Sequence, residues 1–434
     1  MTRFDQVIHY NFCVALVEGA YADEINLSDP EFWRRPWGER EFAFATLRRE
    51  RPISYYEEPV IEGTAFALPR GAGYYALTRY RDIATASRTP EVFLSGPGAI
   101  SQFDLPPEMV EYFSGLISTD NPRHARLRRI IANAFSPRNI RLVEQSVERV
   151  ADQVLTRAIK YGTGDFMTDI AAPLPLEIIC DMMGVPPSEH QTVLECSNII
   201  LSNGDHEYVP EGTDPVLALL EAGATLNGIM QEVGKSRLEN PVDDITGALV
   251  NAKIESEKLS DQELASFFVE LVIAGTETTR TAIGHGLLAL SEHPDQKGRL
   301  IEDPDMLSKT GTSEIVRWAT PIIWMRRTLA TDYQLSNVNL KAGDKVLLFY
   351  SSANRDEEVF EDPYVFDVGR SPNDHYGFGA PGPHFCLGTH LARREITVMW
   401  RNLLRRTPRI QTTGEPVRLD SNFVNGIKHL PYRF

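Results

Sequence analysis

Of the four cysteines in the chain, Cys386 stands where a cysteine can do chemistry. It lies in Gly382-Pro383-His384-Phe385-Cys386-Leu387-Gly388, directly ahead of a segment that reads as a helix over Gly388–Arg406. A cysteine at that place sits among free amide N–H groups at the positive end of the helix dipole, and both favour the thiolate. Glycines on either side, Gly388 among them, let a flat macrocycle approach the backbone closely. A thiolate ligand to haem iron would use such a segment. A buried structural cysteine would use it equally well, so the segment alone leaves both readings open.

Three other groups of residues carry possible chemistry. Ala274-Gly275-Thr276-Glu277-Thr278-Thr279 interrupts an apolar helical run, Phe267 to Ile273. Small residues make room there, and Thr278 is spaced to bond the carbonyl of Ala274. A carboxylate followed by a hydroxyl, Glu277 and Thr278, could deliver protons at that opening, or could be a polar turn of an amphipathic helix. Glu314 and Arg317 lie at i and i+3 on one helix face, a spacing that surface ion pairs share, and Arg370 could join them in a buried network. His124 and Arg128, at i and i+4 behind Pro122, could point at one anion, with Arg327 and His384 as further partners; the alternative is a basic helix face.

Gly377-Phe378-Gly379-Ala380-Pro381-Gly382 matches G-x-G-x-x-G, but no strand precedes it and two prolines spoil the following helix start. It is rejected as a dinucleotide site.

These residues need elements to position them. An amphipathic helix is expected over Ala43–Arg51, strands at Ile53–Tyr56 and Gly73–Tyr80, and a loop over Ser95–Pro107. Helical periodicity runs from Pro122 to about Thr320, with breaks at Ser202–Pro215 and Glu239–Asp244. Strand-like text covers Tyr333–Tyr350, and a turn-rich stretch occupies Ser351–Pro383. The expected class is mostly helical with a minor β part. A chain of 434 residues, 42% hydrophobic, has ample core. Its net charge of -16 argues against nucleic acid or an anionic membrane as partner. Cys13, Cys180, Cys196 and Cys386 are far apart, which excludes a disulfide framework and a cysteine-rich zinc site and points to a reducing cytoplasm. The apolar run Phe12–Val17 is too short for a membrane anchor, so no anchor is expected.

Taken in order, Ala-Gly-x-Glu-Thr-Thr, Glu-x-x-Arg and Gly-x-His-x-Cys-x-Gly resemble the cytochrome P450 superfamily over nearly the whole chain. The resemblance implies one catalytic domain over 1–434, folded as a triangular helical prism around a buried haem. It implies haem b with Cys386 as thiolate ligand, Glu277 and Thr278 as the proton-delivering pair, and Glu314, Arg317 and Arg370 as a structural triad. His124, Arg128, Arg327 and His384 would hold the haem propionates. Phe378 lies eight residues before Cys386, one more than the common spacing, so its ring is not assigned to the sulfur.

Further stretches, Pro175–Gly184 and Ile323–Thr328, resemble the mycobacterial methyl-branched-lipid ω-hydroxylases, with sterol side-chain hydroxylases as the alternative. Ile100, Phe103, Val272, Ala274, Ile323, Trp324 and Val424 would then line an apolar pocket for a branched lipid, isoprenoid or sterol, although core packing also asks for apolar residues. Oxygen would be O2, and electrons would come from a separate ferredoxin or flavodoxin with its NAD(P)H reductase. Arg393, Arg394, Arg405 and Arg406 could dock that acidic partner, or form a solvated helix face. A peroxide-driven enzyme is disfavoured by the acid–alcohol pair, and a haem sensor by the lack of residues for an output module.

Overall fold

The longest apolar helix of the chain begins at a capping box: Ser260 Oγ accepts from the Glu263 amide (3.1 Å) and Glu263 Oε2 accepts from the Ser260 amide (3.0 Å). The computed structural model that contains it describes residues 22–59, 71–106, 109, 115–134, 137–202, 204–242, 244–251 and 259–434, with backbone only for 133–134 and 137–142. The run Phe12–Val17, Cys13 and Pro107 lie outside the described residues.

In chain order the helices that position the site are α1 (Trp37–Glu50), α2 (Tyr80–Arg88), α3 (Arg123–Ala134), α4 (Pro137–Tyr161), α5 (Pro173–Met183), α6 (His190–Leu201), α7 (Pro215–Glu239), α8 (Asp261–Glu292), α9 (Thr312–Ala319) and α10 (Thr389–Arg406). α8 is apolar on most of its faces, and such a helix is stable only when covered all round. It packs against α5, α6, α7, α9 and α10, and most of its side chains from Ala265 onward are buried. No described helix is long and apolar enough to cross a membrane.

Small residues allow α10 to approach α8. A Cβ on Gly286 would stand 2.6 Å from Nε1 of the fully buried Trp400. Gly286→Ala is therefore expected to destabilise the protein by about 1–3 kcal/mol through overpacking. Chemical denaturation should show a lowered midpoint, and an unchanged midpoint would contradict the contact.

The β part is a five-stranded sheet in the order β1 (Ile53–Tyr56), β2 (Tyr74–Leu77), β5 (Lys345–Phe349), β4 (Trp324–Leu329), β3 (Phe93–Leu94). β2 and β5 are parallel, and the other pairs are antiparallel. Alternate residues of β5 serve two cores: Leu347 and Phe349 face Trp33 and Phe44, whereas Val346 and Leu348 join Leu77 and Ile83 on the other side. Burial on both faces explains why Val346–Phe349 of β5 is a continuous apolar run.

Among the departures from the sequence reading, four stand out. β4 was not expected: Arg326 and Arg327 hide its alternation, and pairing with β5 stabilises it. The text over Tyr333–Tyr350 forms three strands, with turns at Ser336 and Gly343. α1 begins six residues before Ala43 and is buried on most sides, including Arg40, Glu41 and Arg48, so it is not simply amphipathic. α8 runs through Ala274–Thr279 without interruption, because threonine hydroxyls bond the carbonyl one turn back without displacing the backbone ladder.

Candidate functional site

Cys386 ends a loop that the backbone closes on itself: its amide donates to the Phe378 carbonyl at 3.0 Å. Gly388 then caps α10, and Thr389 Oγ1 donates to the Cys386 carbonyl at 2.7 Å. Cys386 is the one exposed cysteine among those described, whereas Cys180 and Cys196 are buried. Surrounding protein nevertheless desolvates the thiol and pushes it up. Thr389, the Gly388 amide and the Arg128 charge pull it the other way. Cys180 has no such counterweight, and burial pushes it up to about 12. The loop glycines answer to packing: a Cβ on Gly382 would meet the Ser87 carbonyl of α2 at 2.3 Å, and one on Gly377 would meet Val316 of α9 at 2.7 Å. The ring of Phe378 lies under the Arg393 guanidinium (5.0 Å) and near the His375 ring (5.7 Å).

Beside this loop the structure gathers His124, Arg128, Arg327 and His384. The two imidazoles are 4.1 Å apart, and Arg128 Nη2 donates to the Phe385 carbonyl at 2.7 Å. Arg327 is buried, and its Nη1 donates to the Arg326 carbonyl at 2.7 Å. Burial, then Arg327, His124 and Arg128, press His384 down to about 2; burial and Arg128 lower His124 as well. Asp120 acts weakly on the cluster from a distance, its oxygens being taken by the amides of Ser95 and Gly96 at 2.8 Å. None of the four makes an ion pair among the described residues, and His124 Nε2 is buried without a partner. Such a cluster is short of anionic acceptors. Among the described residues no three His, Cys, Asp or Glu side chains gather to hold an ion. A metal bound by Cys386 must therefore bring its other donors with it, and a porphyrin carrying two carboxylates matches both requirements.

Across the fold, Ala274 is exposed and Thr278 half-buried in the middle of α8, although neighbouring helices pack around it. Their surface must therefore face an internal hollow. Thr278 Oγ1 donates to the Ala274 carbonyl at 2.7 Å, which leaves its lone pairs free to accept. Glu277 is buried, ion-paired with Arg280 and accepting from Thr281 at 3.2 Å.

Glu314 and Arg317, both fully buried, come together with the partly buried Arg370 in one network. Arg317 grips Glu314 through two bonds of 2.8 Å and donates to the carbonyls of Asn354 and Pro363 at 2.9 Å. Arg370 reaches Glu314 at 3.3 Å, and the Asp367 amide and Asn373 complete its shell at 3.0 and 3.1 Å. Burial alone would raise the Glu314 carboxyl; Arg317 and Arg370 together overcome that and hold it below its usual range.

The expected pocket wall divides. Ala274, Ile100 and Phe103 present surface, whereas Val272, Ile323, Trp324 and Val424 are 0–2% exposed. Those four are packed core: Trp324, for example, meets the Phe423 ring at 5.0 Å. Apolar type alone does not separate a lining residue from a core residue. The arginines of α10 divide as well: Arg394 pairs with Glu148 at 3.2 Å and Arg406 with Asp152 at 2.8 Å, which satisfies their charge within the fold. Arg405 bonds Asn402, and Arg393 bonds Ser313. Arg326 was missed. It ties the 101–104 loop to β4 through the carbonyls of Ser101 and Phe103 and the Asp104 carboxylate at 2.7 Å. Two adjacent arginines in one strand point to opposite faces, which was the available signal.

A family model described as Cytochrome P450 matches residues 218–426. A Methyl-branched lipid omega-hydroxylase of Mycobacterium tuberculosis is 45% identical, covering 94% of both chains. A Steroid C26-monooxygenase of the same species is 38% identical over 89% of this chain and 87% of the relative. Among solved structures, a Mycobacterium marinum cytochrome P450 in complex with pseudoionone superposes with a TM-score of 0.90, at 39% identity, covering 94% of this chain and 98% of the other.

Proposed function

The chain belongs to the cytochrome P450 family, and from that premise we propose that it hydroxylates the terminal methyl group of a methyl-branched lipid or isoprenoid, residues 1–434 acting as one catalytic domain. Haem held by a cysteine thiolate supplies the chemistry of the family, sulfur electron density favouring O–O cleavage so that one atom of O2 enters a C–H bond.

Cys386 is the proposed ligand, and Gly388 keeps the backbone beside it free of a side chain. His124, Arg128, Arg327 and His384 take the propionates through charge-assisted hydrogen bonds. Thr278 Oγ1 holds a proton-carrying group at the hollow, its own hydrogen engaged by Ala274. Glu277 passes protons inward, and each transfer requires its Arg280 ion pair to loosen. Glu314, Arg317 and Arg370 fix the turn-rich approach to Cys386. Electrons arrive from a ferredoxin or flavodoxin with its NAD(P)H reductase; Arg393 and Arg405 of α10, bonded only to neutral groups, keep their charge for such an acidic partner. The sparse cysteine usage supports a cytoplasmic enzyme.

The observation that carries the substrate class is the 45% identity to the branched-lipid enzyme. The 38% identity to the steroid enzyme supports a second reading, side-chain hydroxylation of a sterol. Optical titration of the haem-loaded protein with a methyl-branched fatty acid, an isoprenoid and a cholesterol-type sterol separates them. A saturable high-spin shift with the first two and none with the sterol is expected; the reverse pattern transfers the enzyme to the sterol class.

Thr278→Ala tests the proton-holding role. Product formed per O2 consumed should fall by on the order of a hundredfold, while oxygen uptake continues. Fully coupled product formation in the variant would remove Thr278 from the mechanism.

A further inference from the structure

Arg40 on α1 and Arg418 repel each other, and Glu41, next to Arg40 in the chain, only partly offsets that repulsion. Arg40 is 7% exposed and its Nε is buried without a hydrogen-bond partner; Nη1 of Arg418 is likewise buried and unpartnered. Burial, and then Arg418, push Arg40 down to about 10. Burial lowers Arg418, although Glu292 and Glu415 act on it from a distance. His285 of α8 feels both arginines and Arg355, and is held down to about 3, its Nε2 bonded to the Asn425 carbonyl at 2.8 Å. Among the described residues neither Arg40 nor Arg418 forms an ion pair. Unpaired buried charge is expensive, and an anionic ligand is the ordinary remedy.

Arg418 faces a surface groove of about 510 Å³, walled by Pro30 and Arg34, the 204–207 loop, Asp420 and Lys428. The other cations of the groove are already satisfied: Arg34 pairs with Asp420 at 2.6 Å, and Lys428 with Asp205 and Glu207 at 2.9 Å. Arg418 is left to meet whatever enters.

The groove is also near the chemistry. Arg418 lies in β6 (Val417–Arg418), opposite Ile427 of β7 (Ile427–His429). The next residue, Gly426, lies against the acid of α8: a Cβ there would stand 3.5 Å from Glu277 Oε1. One step across a strand pair and one along the chain put the backbone of Arg418 within about 10 Å of Gly426. A ligand with its head at Arg418 could run along this hairpin toward the hollow beside Thr278.

We propose that this groove binds the carboxylate of the substrate, with Arg418 as the contact and Arg40 adding its charge from behind, so that the enzyme takes free branched-chain acids in preference to the corresponding alcohols or esters. The proposal rests on the branched-lipid reading above.

The test is an optical titration of the haem-loaded protein with one methyl-branched acid, its alcohol and its methyl ester, in the natural chain and in Arg418→Gln. The natural chain should bind the acid about ten- to a hundredfold more tightly than the other two. Arg418→Gln should abolish that preference by weakening the acid alone, and Arg418→Lys should restore part of it. Equal binding of acid and alcohol by the natural chain overturns the headgroup site while the branched-lipid reading stands, and this arm needs no variant to fold. Failure of all three ligands to bind overturns both. Inorganic phosphate is the remaining arm: if it raises the melting temperature through Arg418 without any preference for the acid, the groove is a free-anion site and the substrate assignment fails.

Discussion

Replacing Cys386 with serine is expected to abolish monooxygenase turnover while leaving a folded protein. Serine preserves the volume at the end of the loop. It also leaves intact the bond from Thr389 to the residue-386 carbonyl and the amide bond to Phe378. What it removes is the sulfur. A thiol that burial pushes up in the metal-free chain loses its proton outright on binding a metal ion, and Thr389, the Gly388 amide and Arg128 are placed to stabilise the resulting charge. A serine hydroxyl has no comparable acidity to release. Neither Cys180 nor Cys196 can substitute, since both are buried in the helical core. The check has two readouts: product formation with electrons supplied, and the absorption band of the reduced carbon monoxide complex, which reports an axial thiolate. A serine variant that kept normal turnover and the thiolate band would overturn the assignment of Cys386. Cys180→Ala serves as the control and should retain both.

The second large effect belongs to Arg317. Its side chain is 0% exposed, as is that of Glu314. Arg317→Leu leaves the Glu314 carboxylate with Arg370, at 3.3 Å, as its one remaining cation, and takes from the carbonyls of Asn354 and Pro363 the guanidinium that donates to both. Removing one partner of a buried pair costs about 3–5 kcal/mol. That is comparable with the entire stability of a typical domain, about 5–15 kcal/mol. The expected result is little or no folded, haem-loaded protein, seen as a collapsed yield and a melting transition at or below ambient temperature. Arg317→Lys keeps the charge but not the planar fork, so it should recover only part of the loss. A leucine variant with an unaltered melting temperature would show that the network contributes nothing to holding the 351–383 segment.

What was legible in the sequence follows from chain spacing. Thr278 reaches Ala274 because residues four apart on a helix are neighbours, whatever surrounds them. Glu314 and Arg317 meet for the same reason, and the glycines and proline before α10 announce its start without tertiary help. The ordered set of such local motifs also carried the family, because each constrains only a few consecutive residues. The strand Trp324–Leu329 was not legible, since its two arginines disguise the alternation until β5 pairs with it.

The sequence by itself determined a mostly helical chain with a cysteine at a helix start, an acid–alcohol pair following a long apolar helical run and an acid–base pair one turn apart. Only the tertiary structure decided what each apolar or charged side chain meets. It turned Val272 and Trp324 into core while opening Ala274 to a hollow. It neutralised Arg394 with Glu148, far away in the chain, and left a buried nitrogen of Arg40 and one of Arg418 without a hydrogen-bond partner. The physical reason is that burial and charge pairing belong to two surfaces at once. Local spacing specifies one of those surfaces, and the packing of distant segments supplies the other.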